Sequence, residues 1–425
     1  MNTRNILTIL MMLWTVGGLA CADQSSIQTT SARSIGENAS PADTAIFNAE
    51  AETERSPDSP AAFTKLAALY IKKARETGDK SLNKKAQSAI ERALEIDSKD
   101  ATGRKLNAAL LASAHKFTEA REAALSLTRD YPAEAYAYGI LSDSNIELGN
   151  YDEAAAAAQT MVDLKPNSSS YARVAQHRSL RGDHTGAVEL YTKAAQTADP
   201  MDKEAQTWCL VQLANEHFKV GNLDKAARVV DEGLQISPAH PLALTAKARF
   251  LAASGDLNGA EEFISRANSA FAQDEALILL GDINYKRGKA DEANRIYAQV
   301  ETSMRRNDGD IHRLALLWAD RDIRLGESLS IAESDYATNK DIYASDIYAW
   351  SLLKNGRVEE ARAMIQNSLR LKTNDARILY HAGMIERARG NRSAAKRFLR
   401  RALKANPSFD LIQSDVLRDV LSKLD

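Results

Sequence analysis

A small residue returns at a nearly fixed interval along most of this chain, and that period restricts the fold more than any other feature. Ala86, Ala120, Ala154, Ala187, Ala226, Ala260, Ala293, Ala361 and Ala395 recur mostly 33 or 34 residues apart. One interval is 39, where TADPMDKEA lengthens a loop. Another is 68, two periods, with a degenerate unit near Glu327 and Ser328. The stretches LSDSNIELGNYDEAAAAAQTMVDLKP (141–166) and LGDINYKRGKADEANRIYAQV (280–300) show what a period contains. Each has two helical apolar patterns separated by a Gly and a short polar turn. One such hairpin cannot bury its apolar face alone, so neighbours must stack into a continuous core. With 20 Gly and 9 Pro in 425 residues, a sandwich or propeller that turns every ten residues is excluded.

The recurring positions have physical causes. Gly149, Gly182, Gly221, Gly255, Gly288, Gly356 and Gly390 each end a first helix, where glycine supplies a left-handed cap. Pro132, Pro166, Pro238 and Pro407 follow second helices and cannot continue them. The small residues fall where helices approach too closely for a larger side chain. This pattern resembles the tetratricopeptide repeat (TPR) family, whose unit is 34 residues. Leu280, Gly281, Ala293 and Tyr297 match its positions 7, 8, 20 and 24, and Ala187, Tyr191 and Ala194 match 20, 24 and 27. Asn145 and Asn284 stand where the family has Tyr. The resemblance covers residues 60–407, about ten units, and implies an all-α, right-handed TPR superhelix of helix-turn-helix repeats. KKARETGDKSLNKKAQ lengthens the first unit. After Pro407, SFDLIQSDVLRDVLSKLD (408–425) is a capping helix with Leu411, Ile412, Val416, Leu417, Val420 and Leu421 as its apolar stripe.

The first 22 residues form a targeting segment. Arg4 precedes an apolar run from Ile6 to Ala20, shorter than a bilayer span. Ala20-Cys21-Ala22 fits ordinary cleavage, and Gly18-Leu19-Ala20-Cys21 resembles a lipobox with Cys21 as the lipidated residue. Both readings export the protein to the periplasm or beyond, the second as a membrane-anchored lipoprotein. Residues 23–59 are rich in Ser, Thr and acid, and are expected to be a disordered tether with at most a marginal short helix around Ile46 to Glu52. Asn38, Asn167 and Asn391 begin glycosylation sequons, relevant only in a eukaryote.

No catalytic signature occurs: there is no nucleophile elbow, zincin motif, P-loop or dinucleotide fingerprint. His177 and His184 are separated by Gly182, and Cys209 in TWCLVQLA is expected to be a small buried hydrophobe. Glu359 and Glu360 suit a helix N-terminus. Two cysteines build no zinc site, and 55 basic against 57 acidic residues points away from nucleic acid. No metal, cofactor or catalysis is expected.

Binding is expected in the groove instead. In the TPR family the first helices line the concave face. Carried over, its contact positions are Tyr136, Asp143, Glu147, Arg173, Gln176, Trp208, Gln212, Asn215, Lys219 and Arg249 in the third to sixth units. They continue with Asp282, Tyr285, Lys286, Tyr343, Asp346, Trp350, Arg377 and His381. Exposed Trp and Tyr there would be hot spots. The Lys and Asn pattern that clamps chaperone C-termini is missing. From Arg387 to Lys404 there are eight basic residues and no acid, including a patch of Arg392, Lys396, Arg397, Arg400, Arg401 and Lys404. That patch suits a solvated helix face, an anionic headgroup or an acidic partner. The resemblance implies a scaffold for a protein or peptide partner, touching a membrane only through Cys21 or this patch. The alternative is a lipid-anchored factor for envelope assembly or for polysaccharide or protein export.

Overall fold

The structure, a computed structural model, describes residues 40–269, 274–306 and 311–425. The targeting segment, Cys21 and residues 23–39 lie outside the described residues. The described chain forms 22 α-helices and no strand. α1 (Pro41–Arg55) precedes ten hairpins, each a first and a second helix. The first three hairpins are α2 (Pro60–Thr77) with α3 (Leu82–Ile96), α4 (Ala101–Ser113) with α5 (Phe117–Asp130), and α6 (Ala135–Glu147) with α7 (Tyr151–Leu164). Next come α8 (Ser168–Leu180) with α9 (His184–Gln196), α10 (Lys203–Lys219) with α11 (Leu223–Ile236), and α12 (Pro241–Ser254) with α13 (Leu257–Ala267). α14 (Asp274–Lys286) pairs with α15 (Ala290–Arg306), and α16 (Ile311–Asp320) with α17 (Leu325–Thr338). α18 (Ile342–Lys354) pairs with α19 (Val358–Leu369), α20 (Ala376–Ala388) with α21 (Arg392–Ala405), and α22 (Gln413–Leu424) closes the chain.

Local chemistry sets these boundaries. The side chains of Asp183, Asp256 and Asp375 accept amide hydrogen bonds as N-caps of α9, α13 and α20. The seven expected turn glycines all have positive φ. In the second unit His115 takes that left-handed place, at φ 60°. All nine recurring alanines are fully buried. In the degenerate eighth unit Ser328 fills the same position, its hydroxyl donating to the Ala315 carbonyl at 2.7 Å. At Gly281 the ring of Tyr297 occupies the space a Cβ would need.

Two expectations change. Residues 41–55, read as part of the tether, are helix α1. Ser40 and Asp43 form a capping box, Ile46 and Ala49 are buried, and Tyr70 Oη donates to Glu50 at 2.5 Å. A helix too short to persist alone is held by that packing on α2. In α22 the buried stripe is Leu417, Val420 and Leu421, while Val416 faces solvent and Leu411 and Ile412 precede the helix.

The superhelix winds tightly enough to touch itself. The His115 and His312 rings lie 5.5 Å apart, so the turn of unit two meets the start of unit eight. The turn of unit three meets the start of unit nine: Lys340 N donates to the Glu147 carbonyl at 2.8 Å, and Ile342 N to Tyr151 Oη at 2.8 Å. Arg370 reaches the carbonyls of Gly149 and Lys340 at 3.4 and 2.6 Å. Gly182 faces residues 372–374, and Gly221 faces Pro407. Asn406 Nδ2 donates to the Phe218 carbonyl at 2.7 Å. An apolar seam runs along the same join, with Ile146, Tyr151 and Leu180 packed in one cluster with Ile342, Ile365 and Ile378.

Candidate functional site

The first helices of successive units line the inside of the coil, and the carried-over residues sit on them. Most are buried. Tyr136, Asp143, Arg173, Gln176, Gln212, Asn215, Arg249, Asp282, Asp346 and His381 are inaccessible or nearly so, and Trp208 and Trp350 are 2% and 1% exposed. The expectation of aromatic hot spots on an open groove is corrected here: both Trp side chains are core residues. Glu147, Lys219, Tyr343 and Arg377 are partly accessible, Tyr285 is 51% exposed, and Lys286, also exposed, is held by Asp415 at 2.8 Å and the Leu411 carbonyl at 3.2 Å.

The buried polar members pair from one unit to the next. Arg173 holds Asp143 with two nitrogens, Nε at 3.1 Å and Nη2 at 2.8 Å. Its guanidinium passes over Gly139, where a Cβ would lie 3.0 Å from it. Burial raises the Asp143 carboxyl to about 6 against the pull of Arg173. Arg249 donates to Asn215 and, at 3.2 Å, to Glu275, which also receives Arg313 at 3.4 Å. Asp282 accepts from Arg321 and from Tyr297 Oη, the latter at 2.7 Å. His381 Nδ1 lies 2.9 Å from Asp346, and its ring stacks on Trp350 with centroids 4.2 Å apart. Burial raises the Asp346 carboxyl. Trp350 Nε1 donates to Asp320 at 2.9 Å. Lys219 donates to Ser179 at 3.1 Å and lies 3.5 Å from Glu216, a carboxylate shared with His184 at 2.7 Å. Arg377 is 3.6 Å from Asp410. Across the lumen, Arg75 of unit one lies 3.5 Å from Glu204 of unit five.

The chemistry of this lining is that of a staple. Buried charges are stable only when paired, and each pair fixes the register of two adjacent units. Glu275, Arg313, Asp320, Arg321 and Glu216 belong to it and were not among the sequence candidates. A signal for some of them exists: opposite charges about one period apart on first helices or at their ends, as in Asp143 with Arg173 and Asp282 with Arg321. Elsewhere, His177 Nε2 is 2.9 Å from Ser142 Oγ, and burial lowers its pKa to about 4. Cys209 is buried, and its thiol is pushed well up by burial. Among the described residues no group of three or more His, Cys, Asp or Glu could hold a metal ion. None of the described helices is long and apolar enough to cross a membrane.

The basic patch lies where the sequence put it. Arg392, Arg397, Arg400, Arg401 and Lys404 are exposed on α21, Lys396 is partly so, and Leu399 and Ala402 are buried beneath.

Sequence models described as tetratricopeptide repeat match residues 106–169, 217–278 and 349–412. A search of curated proteins finds no match. Among solved structures, the chain is similar to one from the APC/C hetero-tetramer Cut9–Hcn1. It is 12% identical over 89% of this chain and 92% of that one, with a TM-score of 0.36. It is also similar to TTC0263, a thermophilic TPR protein of Thermus thermophilus. There the identity is 18% over 40% of this chain and 90% of that one, also with a TM-score of 0.36. The sequence matches cover most of units two and three, the second helix of unit five with unit six, and most of units nine and ten, and the chain is a tetratricopeptide repeat protein.

Proposed function

We propose that the protein is an exported scaffold that binds a protein or peptide partner on the concave side of its superhelix and performs no chemistry. The observation that carries this reading is the use of the chain. Stacked hairpins occupy it from Pro60 to Ala405, and the polar groups inside the coil pair with one another. Repeat arrays of this kind act as interaction scaffolds through extended surfaces. Because most of the carried-over residues are buried, the partner meets the accessible ones: Tyr285, with Glu147, Lys219, Tyr343 and Arg377 partly accessible. Reaching Trp208 or Trp350 requires the windings to part. A photo-crosslinking residue at Tyr285, compared with one at Arg295 on α15, tests the reading. The expected result is a discrete adduct from position 285 and none from 295. Adducts from 295 alone would place the partner on the outer helices and refute the concave reading.

A second reading, a lipid-anchored factor for assembling or exporting envelope components, is favoured by Ala20-Cys21 together with the basic face of α21. The mass of the mature N-terminus decides it. A diacylated Cys21 supports the anchored form, and an unmodified chain starting at Asp23 excludes it.

A further inference from the structure

The outer face of α21 is a charged surface that the stacking leaves exposed. No acidic residue occurs between Glu386 and Asp410. One edge of the face already holds an anion. Asp425 accepts from Lys396 at 2.8 Å and from Arg400 at 2.5 Å, and Arg392 donates to the Leu424 carbonyl at 2.5 Å. Two cations one helical turn apart thus close on a single carboxylate. The other edge is open. Arg397, Arg401 and Lys404 follow each other at four and three residues, so they share one stripe. Among the described residues none of the three has an ion-pair partner. Arg397 contacts only the ring of Phe398 within its own helix. On neighbouring helices, by contrast, surface cations are paired: Arg357 with Glu360, Arg418 with Asp415, Lys423 with Asp419. Three uncompensated cations within two turns repel one another, and an external anion relieves that repulsion.

The form of the face selects the partner. Among the described residues, the exposed large apolar side chains, such as Met201, Tyr285 and Ile323, all lie on other segments. The face therefore lacks the buried aromatic or aliphatic anchor around which protein interfaces are built. It offers charge without a pocket, which suits a broad, diffuse array of anions. We propose that the outer face of α21 docks the protein on a bilayer rich in anionic phosphate headgroups, through Arg397, Arg401 and Lys404. This is a different surface from the concave rim, and it does not depend on acylation of Cys21. With an acyl chain present the two attachments would reinforce each other.

The test uses the chain from Asp23 to Asp425, without the targeting segment, with vesicles of phosphatidylcholine alone and of phosphatidylcholine with phosphatidylglycerol. Binding to the uncharged vesicles serves as the baseline. The Arg397→Gln, Arg401→Gln, Lys404→Gln variant is expected to lose about a hundred-fold in its extra partition to anionic vesicles. Its thermal midpoint is expected to match the parent, because the three side chains are exposed and unpaired. An Arg295→Gln control should behave as the parent. Raising the salt should abolish the difference between parent and triple variant. Equal partition of the two at low salt overturns the proposal. So does unchanged vesicle binding accompanied by loss of a crosslinked acidic protein, which would assign the face to that protein. Neither outcome bears on the crosslink at Tyr285, so the two readings fail separately.

Discussion

Gly149 and Gly288 provide a controlled measurement of how strongly the two windings hold each other. Both sit in a turn between the helices of a unit, and both have φ of 77°. Alanine at either position meets the left-handed backbone penalty, about 1–2 kcal/mol, partly offset by about 0.4–1 kcal/mol from a less flexible unfolded chain. At Gly288 nothing lies within 4 Å of an added Cβ, so the net cost should be about 1 kcal/mol or less. At Gly149 the Cβ would fall 2.5 Å from Arg370 Nη2 and 2.7 Å from the Lys340 carbonyl oxygen. The guanidinium can swing aside, but the backbone at Lys340 must move. Four hydrogen bonds then come under strain: Lys340 N to Glu147, Ile342 N to Tyr151, and Arg370 to the carbonyls of Gly149 and Lys340. At about 0.5–1.5 kcal/mol net each, their partial loss adds roughly 3 kcal/mol. A repeat array need not unfold in one step, so the decisive readout is local. Hydrogen exchange at the Lys340 and Ile342 amides should quicken about a hundred-fold in Gly149→Ala and stay at the parent rate in Gly288→Ala. Equal exchange at residues 340–342 in the two variants would refute the idea that the windings form a bonded interface.

Trp350→Ala should destabilise the protein by about 3–5 kcal/mol, read by urea unfolding, since it leaves a large cavity and strips Asp320 of its indole donor. Any partner loss in that variant should track the unfolded fraction measured by circular dichroism. His177 is held neutral in the fold, so its contribution to stability is present above about pH 6.5 and is lost as pH falls toward about 4, roughly 3 kcal/mol in all. Asp143, raised to about 6, acts in the opposite sense, favouring the fold at low pH and losing that as pH rises. Subtracting the pH–stability profile of His177→Gln from that of the parent should isolate a slope near one proton between pH 4 and 6.5, and a flat difference would contradict it. The Cys209 thiol should react with an aromatic disulfide reagent only at the rate of unfolding, and fast labelling of the native protein would show that its site opens.

The amino-acid sequence by itself determined the hairpin, its period and the number of units. Ala154 and Gly281 do their work against neighbours in their own or the next unit, so their spacing is legible in one dimension. Even the degenerate eighth unit was placed by its phase, with Ser328 standing where alanine stands elsewhere. The helix over residues 41–55 reads in the sequence as no more than a marginal one around Ile46 to Glu52, because low hydrophobicity signals disorder, whereas Ile46, Ala49 and the Ser40–Asp43 capping box hold it once α2 offers a face to cover. The concave residues were located correctly on their helices, but their exposure was not legible. Whether Trp350 or His381 faces a partner or the protein itself depends on how far each unit rotates from the last. That rotation is a small angle set by side-chain packing, and it accumulates over six units until Lys340 meets Glu147. No single unit encodes the sum. Local spacing therefore wrote the solenoid, and only the tertiary structure decided that the solenoid closes on itself and turns its inner charges into staples.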